Sequence, residues 1–252
     1  MSQAVGCQIN QGVMTLSLDR ADEKNTLTPE TLNGLGDGLK QAAAEDAVRV
    51  VVLTHSGNTF CAGNDLRGRG NEEPRYSLVD IFELMQSNPK PIVGLIRGHC
   101  MGGGVGLAAA CDISLIAESA RLGFTEVRIG VAPAMISVVC LPKMRRADAM
   151  ALFLSGEKIP AQRAVDVGLL NAVHPDADLD GALQALLDKL LRGGPNALAA
   201  SKSLVYEVPQ ENTADAFKRT AVLSKQLFES EEAAAGMAAF RERRDAPWVP
   251  EA

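Results

Sequence analysis

The chain has 252 residues, 46% hydrophobic and 22% charged, a composition that fits a folded, enzyme-sized protein and excludes a disordered or fibrous one. A net charge of −6 leaves no broad basic field for a polyanion, which excludes nucleic acid as the main partner, although local basic clusters can still hold a small phosphate ligand. The longest apolar runs, such as Pro91 to Ile96, fall well short of the roughly 20 residues that cross a bilayer, so no membrane span is expected. The opening MSQAVGCQIN lacks the basic and apolar regions of a secretory signal, and a cytoplasmic location is expected. Cys7, Cys61, Cys100, Cys111 and Cys140 are odd in number, mostly in apolar runs and without zinc-ligand spacing, and read as reduced core packers. His55, His99 and His174 stand near no Ser or Cys nucleophile motif, so a triad hydrolase would need partners from distant parts of the chain.

In chain order, Val5 to Ile9 and Val13 to Leu18 flank Asn10-Gln11-Gly12 and predict a β-hairpin. Thr28-Pro29-Glu30 signals a helix start, followed by Leu32, Leu35 and Leu39 at helical spacing. Further strands are predicted at Arg49 to Thr54, Pro91 to Arg97, Ile113 to Ala117 and Arg121 to Phe124, with a small-residue helix from Gly103 to Cys111. Strands separated by helices predict an α/β sheet with mostly parallel connections. After Pro142 the pattern is helical almost throughout, over Arg145 to Leu154, Leu179 to Leu191, Ala197 to Tyr206 and Thr213 to Arg244.

Two segments point to chemistry. In Thr59-Phe60-Cys61-Ala62-Gly63-Asn64-Asp65-Leu66 a buried strand ends in a turn of small residues, and Asp65 reads as a cap for a following helix. In Gly98-His99-Cys100-Met101-Gly102-Gly103-Gly104-Val105-Gly106 a glycine cluster follows a strand and opens a helix, where free N–H groups and a positive dipole end suit an oxyanion or a phosphate. Gly104-Val105-Gly106-Leu107-Ala108-Ala109 also matches G-x-G-x-x-A, with Glu118 or Glu126 at about the spacing of a dinucleotide fingerprint. That alternative wants the first βα turn of the chain and further βαβ units behind it. Glycines required only for close helix–strand packing are the plainer alternative.

These segments, together with Pro89-Lys90-Pro91-Ile92-Val93-Gly94-Leu95-Ile96-Arg97-Gly98, Ala110-Cys111-Asp112-Ile113 and Phe124-Thr125-Glu126-Val127-Arg128-Ile129-Gly130, resemble in order and spacing the crotonase, or enoyl-CoA hydratase/isomerase, superfamily over nearly the whole chain. The resemblance implies an α/β spiral of ββα units over residues 1–190 and a helical C-terminal trimerisation region over 191–252, with trimers that often pair into hexamers. It implies an acyl-CoA substrate whose thioester oxygen is held by the N–H groups of Asn64 and Gly103, with Glu126 as acid–base catalyst. A capping acid is the structural alternative for Glu126. No separate cofactor is implied, coenzyme A being part of the substrate. Lys24, beside an Asn25-Thr26-Leu27 run that matches the family's pattern, Ala62 and Arg67 are the expected CoA contacts, joined by Phe240 and Arg243 from a neighbouring subunit, where a solvated basic helix end is the alternative.

The family's hydratases pair two glutamates, and the first falls here on Gly106, a departure from that pattern. Gly130-Val131-Ala132-Pro133-Ala134-Met135-Ile136-Ser137 looks like bacterial hydratases of methylglutaconyl-type or isohexenylglutaconyl-type CoA esters, which also lack that glutamate. The leading expectation is therefore reversible hydration of a 2-enoyl-CoA. The alternatives are a Δ3-Δ2 isomerase using Glu126 alone, another enolate reaction, and a CoA-binding scaffold with little turnover. Residues 69–85 are expected to form part of the acyl pocket, with Ala134, Met135 and Ile136 as its far wall. Asp112 reads as structural.

Overall fold

The computed structural model describes residues 4–65 and 73–250. Strands β1 (Val5–Asn10) and β2 (Val13–Leu18) form the expected antiparallel hairpin, with Met14, Leu16 and Leu18 buried on one face. Thr28 caps α1 (Pro29–Ala44) by accepting from the Thr31 N–H, and Leu32, Leu35 and Leu39 face the core. The order then repeats as β3 (Val50–His55), β4 (Thr59–Cys61) and α2 (Leu78–Ser87), and again as β5 (Ile92–Ile96), β6 (His99–Met101) and α3 (Gly103–Ala110). A last round runs through β7 (Ile113–Ala117), β8 (Arg121–Gly123), a 3-10 turn over Thr125–Ile129 and α4 (Ala134–Cys140). These are successive strand–strand–helix units, and the later ones divide their strands between two sheets.

The large sheet has the order β1-β2-β3-β5-β7-β10, its last strand being β10 (Ala172–His174), and every pairing after the hairpin is parallel. The small sheet, β4-β6-β8-β9, is parallel except that β9 (Lys158–Pro160) runs antiparallel to β8. Strands β3, β5 and β7 are buried on both faces, which is why they read as continuous apolar runs. One face looks toward α1, α2 and α3. On the other, Val50, Val52, Val93 and Leu95 pack with Leu179, Leu187 and Leu191 of α7 (Leu179–Leu191).

The second half departs from an all-helical reading. Besides α5 (Arg146–Ser155) and α6 (Ala161–Asp166) it contributes β9 and β10, three residues each, too short to show a period of two. They form because β8 and β7 offer open edges, a tertiary cause invisible to local pattern. The single helix expected from Thr213 to Arg244 is two, α9 (Thr213–Phe228) and α10 (Glu231–Glu242). Ser230 makes the break: its hydroxyl donates to Leu227 O at 2.7 Å and accepts from Ala233 N at 3.1 Å, ending one helix and capping the next. Among the described residues no helix is long and apolar enough to cross a membrane. Cys61, Cys100, Cys111 and Cys140 are buried free thiols, and Cys7 is exposed.

Helix α8 (Pro195–Glu207) is fastened to the core through a buried ion pair. Lys202 Nζ lies 2.8 Å from Asp112 Oδ2, with side chains 7% and 15% exposed, and also donates to Met85 O at 2.7 Å. Asp112 Oδ2 accepts the Ile92 N–H at 2.7 Å, which joins the pair to the start of β5. Asp112 is thus structural, as expected. Burial pushes its carboxyl up from the usual range while the Lys202 ammonium opposes the rise. Removing one partner strands a buried charge, so Lys202→Met is expected to cost about 3–5 kcal/mol in urea denaturation.

Candidate active site

Two turns from different strand–strand–helix units meet at the site. Gly63 ends the β4 segment with φ +86, in the left-handed region that only glycine enters without strain. A Cβ at Gly63 would stand 2.9 Å from Met101 O and 3.1 Å from Gly103 N, so the two turns touch through backbone alone. Behind them a Cβ at Gly104 would come within 2.1 Å of Cys61 O, which is why the helix opens on glycines. All eight residues of α3 are buried. Its C-terminal carbonyls are met from the core, Ala108 O by Ser114 Oγ at 2.6 Å and Cys111 O by Lys143 Nζ at 3.1 Å. Its N-terminus carries no side-chain cap.

Among the described residues neither the Asn64 N–H nor the Gly103 N–H donates a hydrogen bond. Both remain available to an incoming acceptor, and Gly103 adds the positive end of a helix dipole. Glu126, on the 3-10 turn after β8, reaches the same place: its Oε1 would lie 3.3 Å from a Cβ on Gly102. The Gly102 N–H donates to Gly123 O at 3.0 Å and ties the glycine turn to β8, just ahead of the acid. Glu126 Oε2 is buried without a hydrogen-bond partner. Burial pushes the carboxyl above the usual glutamate range, against the lowering pull of its own backbone N–H. The carboxyl thus meets its own turn's N–H with one oxygen, as a capping acid does, and leaves Oε2 without a partner.

One turn further along α3, on the face that meets Glu126 at position 102, sits Gly106. Ile136 of α4 and Phe82 of α2, both buried, close over it: a Cβ there would lie 2.5 Å from Ile136 Cγ2 and 2.9 Å from Phe82 Cζ. A side chain at position 106 would therefore require Ile136 and Phe82 to shift, and the wall beside the acid is apolar. Of the expected far wall, Ile136 is 2% exposed and turned inward, whereas Met135 is 43% exposed. Cys140 faces the same region, but burial pushes its thiol up to about 12, which removes it as a nucleophile.

The structure thus brings Asn64, Gly103 and Glu126 together. Lys24 and Ala62 are also neighbours, since Ala62 N donates to Lys24 O at 3.0 Å, and the Lys24 side chain is exposed. Arg67 and the start of the 69–85 segment lie outside the described residues, as does any helix that Asp65 was expected to cap. Phe240 and Arg243 stand at the C-terminal end of α10, and Phe240 is 86% exposed. Among the described residues no hydrogen bond or ion pair joins either side chain to the Lys24 loop. Sequence reasoning missed the closure of Gly106 by Phe82 and the bracing of Gly63 by Leu27, whose N–H donates to Gly63 O at 2.9 Å. The Thr28 cap and the Asn25-Thr26-Leu27 run before it were the local signs that the chain before α1 is held in one conformation.

The family model described as enoyl-CoA hydratase/isomerase matches residues 8–251. A probable enoyl-CoA hydratase of Bacillus subtilis (strain 168) is 32% identical over 250 residues, covering 96% of each chain. The 2,3-dehydroadipyl-CoA hydratase of Escherichia coli (strain K12) is 30% identical over 240 residues, covering 93% of this chain and 94% of its own. Among solved structures, an enoyl-CoA hydratase of Mycobacterium smegmatis superposes with a TM-score of 0.90 at 27% identity, covering 97% of this chain and 98% of its own. The chain belongs to the enoyl-CoA hydratase/isomerase family, a family of crotonase-fold enzymes that act on acyl-CoA substrates.

Proposed function

We propose that the protein catalyses the reversible addition of water to a 2-enoyl-CoA, with Glu126 as its one acid–base group. The observation that carries this reading is the buried, unpartnered Glu126 Oε2 beside the glycine turn. The thioester oxygen sits between the Asn64 and Gly103 N–H groups, which accept its charge as the enolate forms. Each such donor is worth about 3–4 kcal/mol in the transition state. Glu126 takes a proton from water as the water oxygen adds to C3, and the proton passes on to C2, so the carboxylate ends as it began. The hydratase names of the two relatives support the same reaction.

Lys24 and Ala62 hold the CoA nucleotide in this reading, the exposed ammonium facing phosphate and the backbone beside Ala62 facing adenine. Phe240 and Arg243 complete that grip from a second copy in a homotrimer or a hexamer of paired trimers. The exposed Phe217, Phe228 and Phe240 on the C-terminal helices support such self-association.

The closure of Gly106 by Ile136 and Phe82 favours a second reading, Δ3-Δ2 isomerisation. An acid with an apolar wall on one side can carry a proton between C2 and C4 without water. The ultraviolet absorbance of the conjugated enoyl thioester separates the two. Hydration is expected to deplete it over a panel of straight and branched 2-enoyl-CoAs. Loss on no member, with a gain from a 3-enoyl-CoA, establishes the isomerase instead.

Glu126→Gln is expected to lower kcat by about 10²–10⁴-fold while CoA-ester binding persists. Unchanged turnover in that variant refutes the role of Glu126, and absence of turnover in the native protein would leave a CoA-binding scaffold. The pH profile gives an independent check. The base form of Glu126 is required and its pKa is raised, so kcat/KM should climb with pH through an acid limb above the ordinary glutamate range.

A further inference from the structure

The Asn64 N–H is useful only if its peptide plane is held. The carbonyl of that same peptide is Gly63 O, which accepts the Leu27 N–H at 2.9 Å. In a trans peptide the C=O and N–H point in opposite directions, so fixing the oxygen on Leu27 aims the nitrogen away from the 24–27 loop. Accepting that bond also polarises the peptide and makes its N–H a stronger donor. A second bond, Ala62 N to Lys24 O at 3.0 Å, keeps the loop and the strand end in step.

The loop is in turn held by one side chain. Asn25 is fully buried, and both it and Lys24 adopt left-handed backbone, with φ of +51 and +55. Asn25 Oδ1 accepts the Arg20 N–H at 2.8 Å, while Nδ2 donates to Ser56 O at 3.0 Å and to Thr59 O at 2.8 Å. It therefore spans the start of the 20–27 loop and both sides of the β3–β4 turn. Asparagine tolerates the left-handed backbone and supplies donors and an acceptor together, a combination that aspartate and leucine lack.

We propose that Asn25 is a positioning residue for the reaction, acting through Leu27 and the Gly63–Asn64 peptide to hold the Asn64 N–H on the thioester oxygen. The inference rests on the two-donor reading above. It goes beyond that reading by placing control of one donor in a residue that touches no substrate.

Asn25→Asp keeps the shape but turns the two donated bonds into a carboxylate facing two carbonyls, and Asn25→Ser removes them without adding charge. Both variants are expected to lose about 100-fold in kcat on a 2-enoyl-CoA with KM little changed, as befits a misplaced catalytic group. The thioester carbonyl stretch of a bound enoyl-CoA, lowered in the native protein by the two donors, should return toward its value in solution. If both variants keep native kcat and a lowered stretch, Asn25 has no positioning role and the two-donor reading stands. If KM rises while kcat holds, Asn25 serves CoA binding through Lys24 and the proposal is overturned. No lowering of the stretch in the native protein would overturn both readings together. Should neither variant fold, amide exchange in the native protein decides: a Leu27 N–H as slow as those of β4 is expected, and one as fast as an exposed loop overturns the proposal.

Discussion

Contact between two pieces of main chain governs this molecule. The turn at Gly63 and the turn at Gly102–Gly103 come from different strand–strand–helix units, and they approach so closely that a Cβ at Gly63 would press on the backbone of Met101 and Gly103. Much of the fold serves to keep them there. Parallel pairing of β4 with β6 sets their level, the glycine-rich face of α3 lets the helix settle onto β4, and the core-side bonds to Ala108 O and Cys111 O anchor the far end of that helix. Main-chain donors cannot swing away on a rotamer, so the site is as stiff as the sheets that present it.

A single carboxylate is set against this fixed frame. Glu126 is partly withdrawn from water, lacks a partner for one oxygen and stands beside a wall of Ile136 and Phe82. The same burial that leaves the oxygen without a partner pushes its carboxyl above the ordinary glutamate range. The ion pair of Asp112 and Lys202 lies at the other end of α3, where a charge strengthens the docking of α8 without disturbing the acid.

Much of this was legible in the residues. The hairpin, the parallel strands β3, β5 and β7 and the small-residue helix follow from apolar runs and glycine placement, and the two glycine-bearing turns marked where backbone donors would be exposed. Strands β6, β9 and β10 were not, because three-residue strands owe their existence to a neighbour's open edge and leave no period of their own. The helix break at Ser230 was missed because a serine amid Glu, Ala and Lys is tolerated within a helix as well as at its cap. At the site, Asn64, Gly103 and Glu126 were found from resemblance. Asn25 and Leu27 stood out only as part of a run matching the family's pattern, and their bonds were not legible, since a hydrogen bond from one loop to the peptide of another has no signature along the chain.

Gly106 and Ile136 together constrain how such a protein can evolve. Any side chain at position 106 collides with the Ile136 methyl group, so substitutions at the two positions are not independent. A lineage that gains a side chain at position 106 needs Ile136 or Phe82 to give way, and if position 136 is trimmed beforehand the intermediate carries a cavity. Either order of changes therefore passes through an unfavourable intermediate, crowded if position 106 changes first and hollow if position 136 does, which holds the present pair in place.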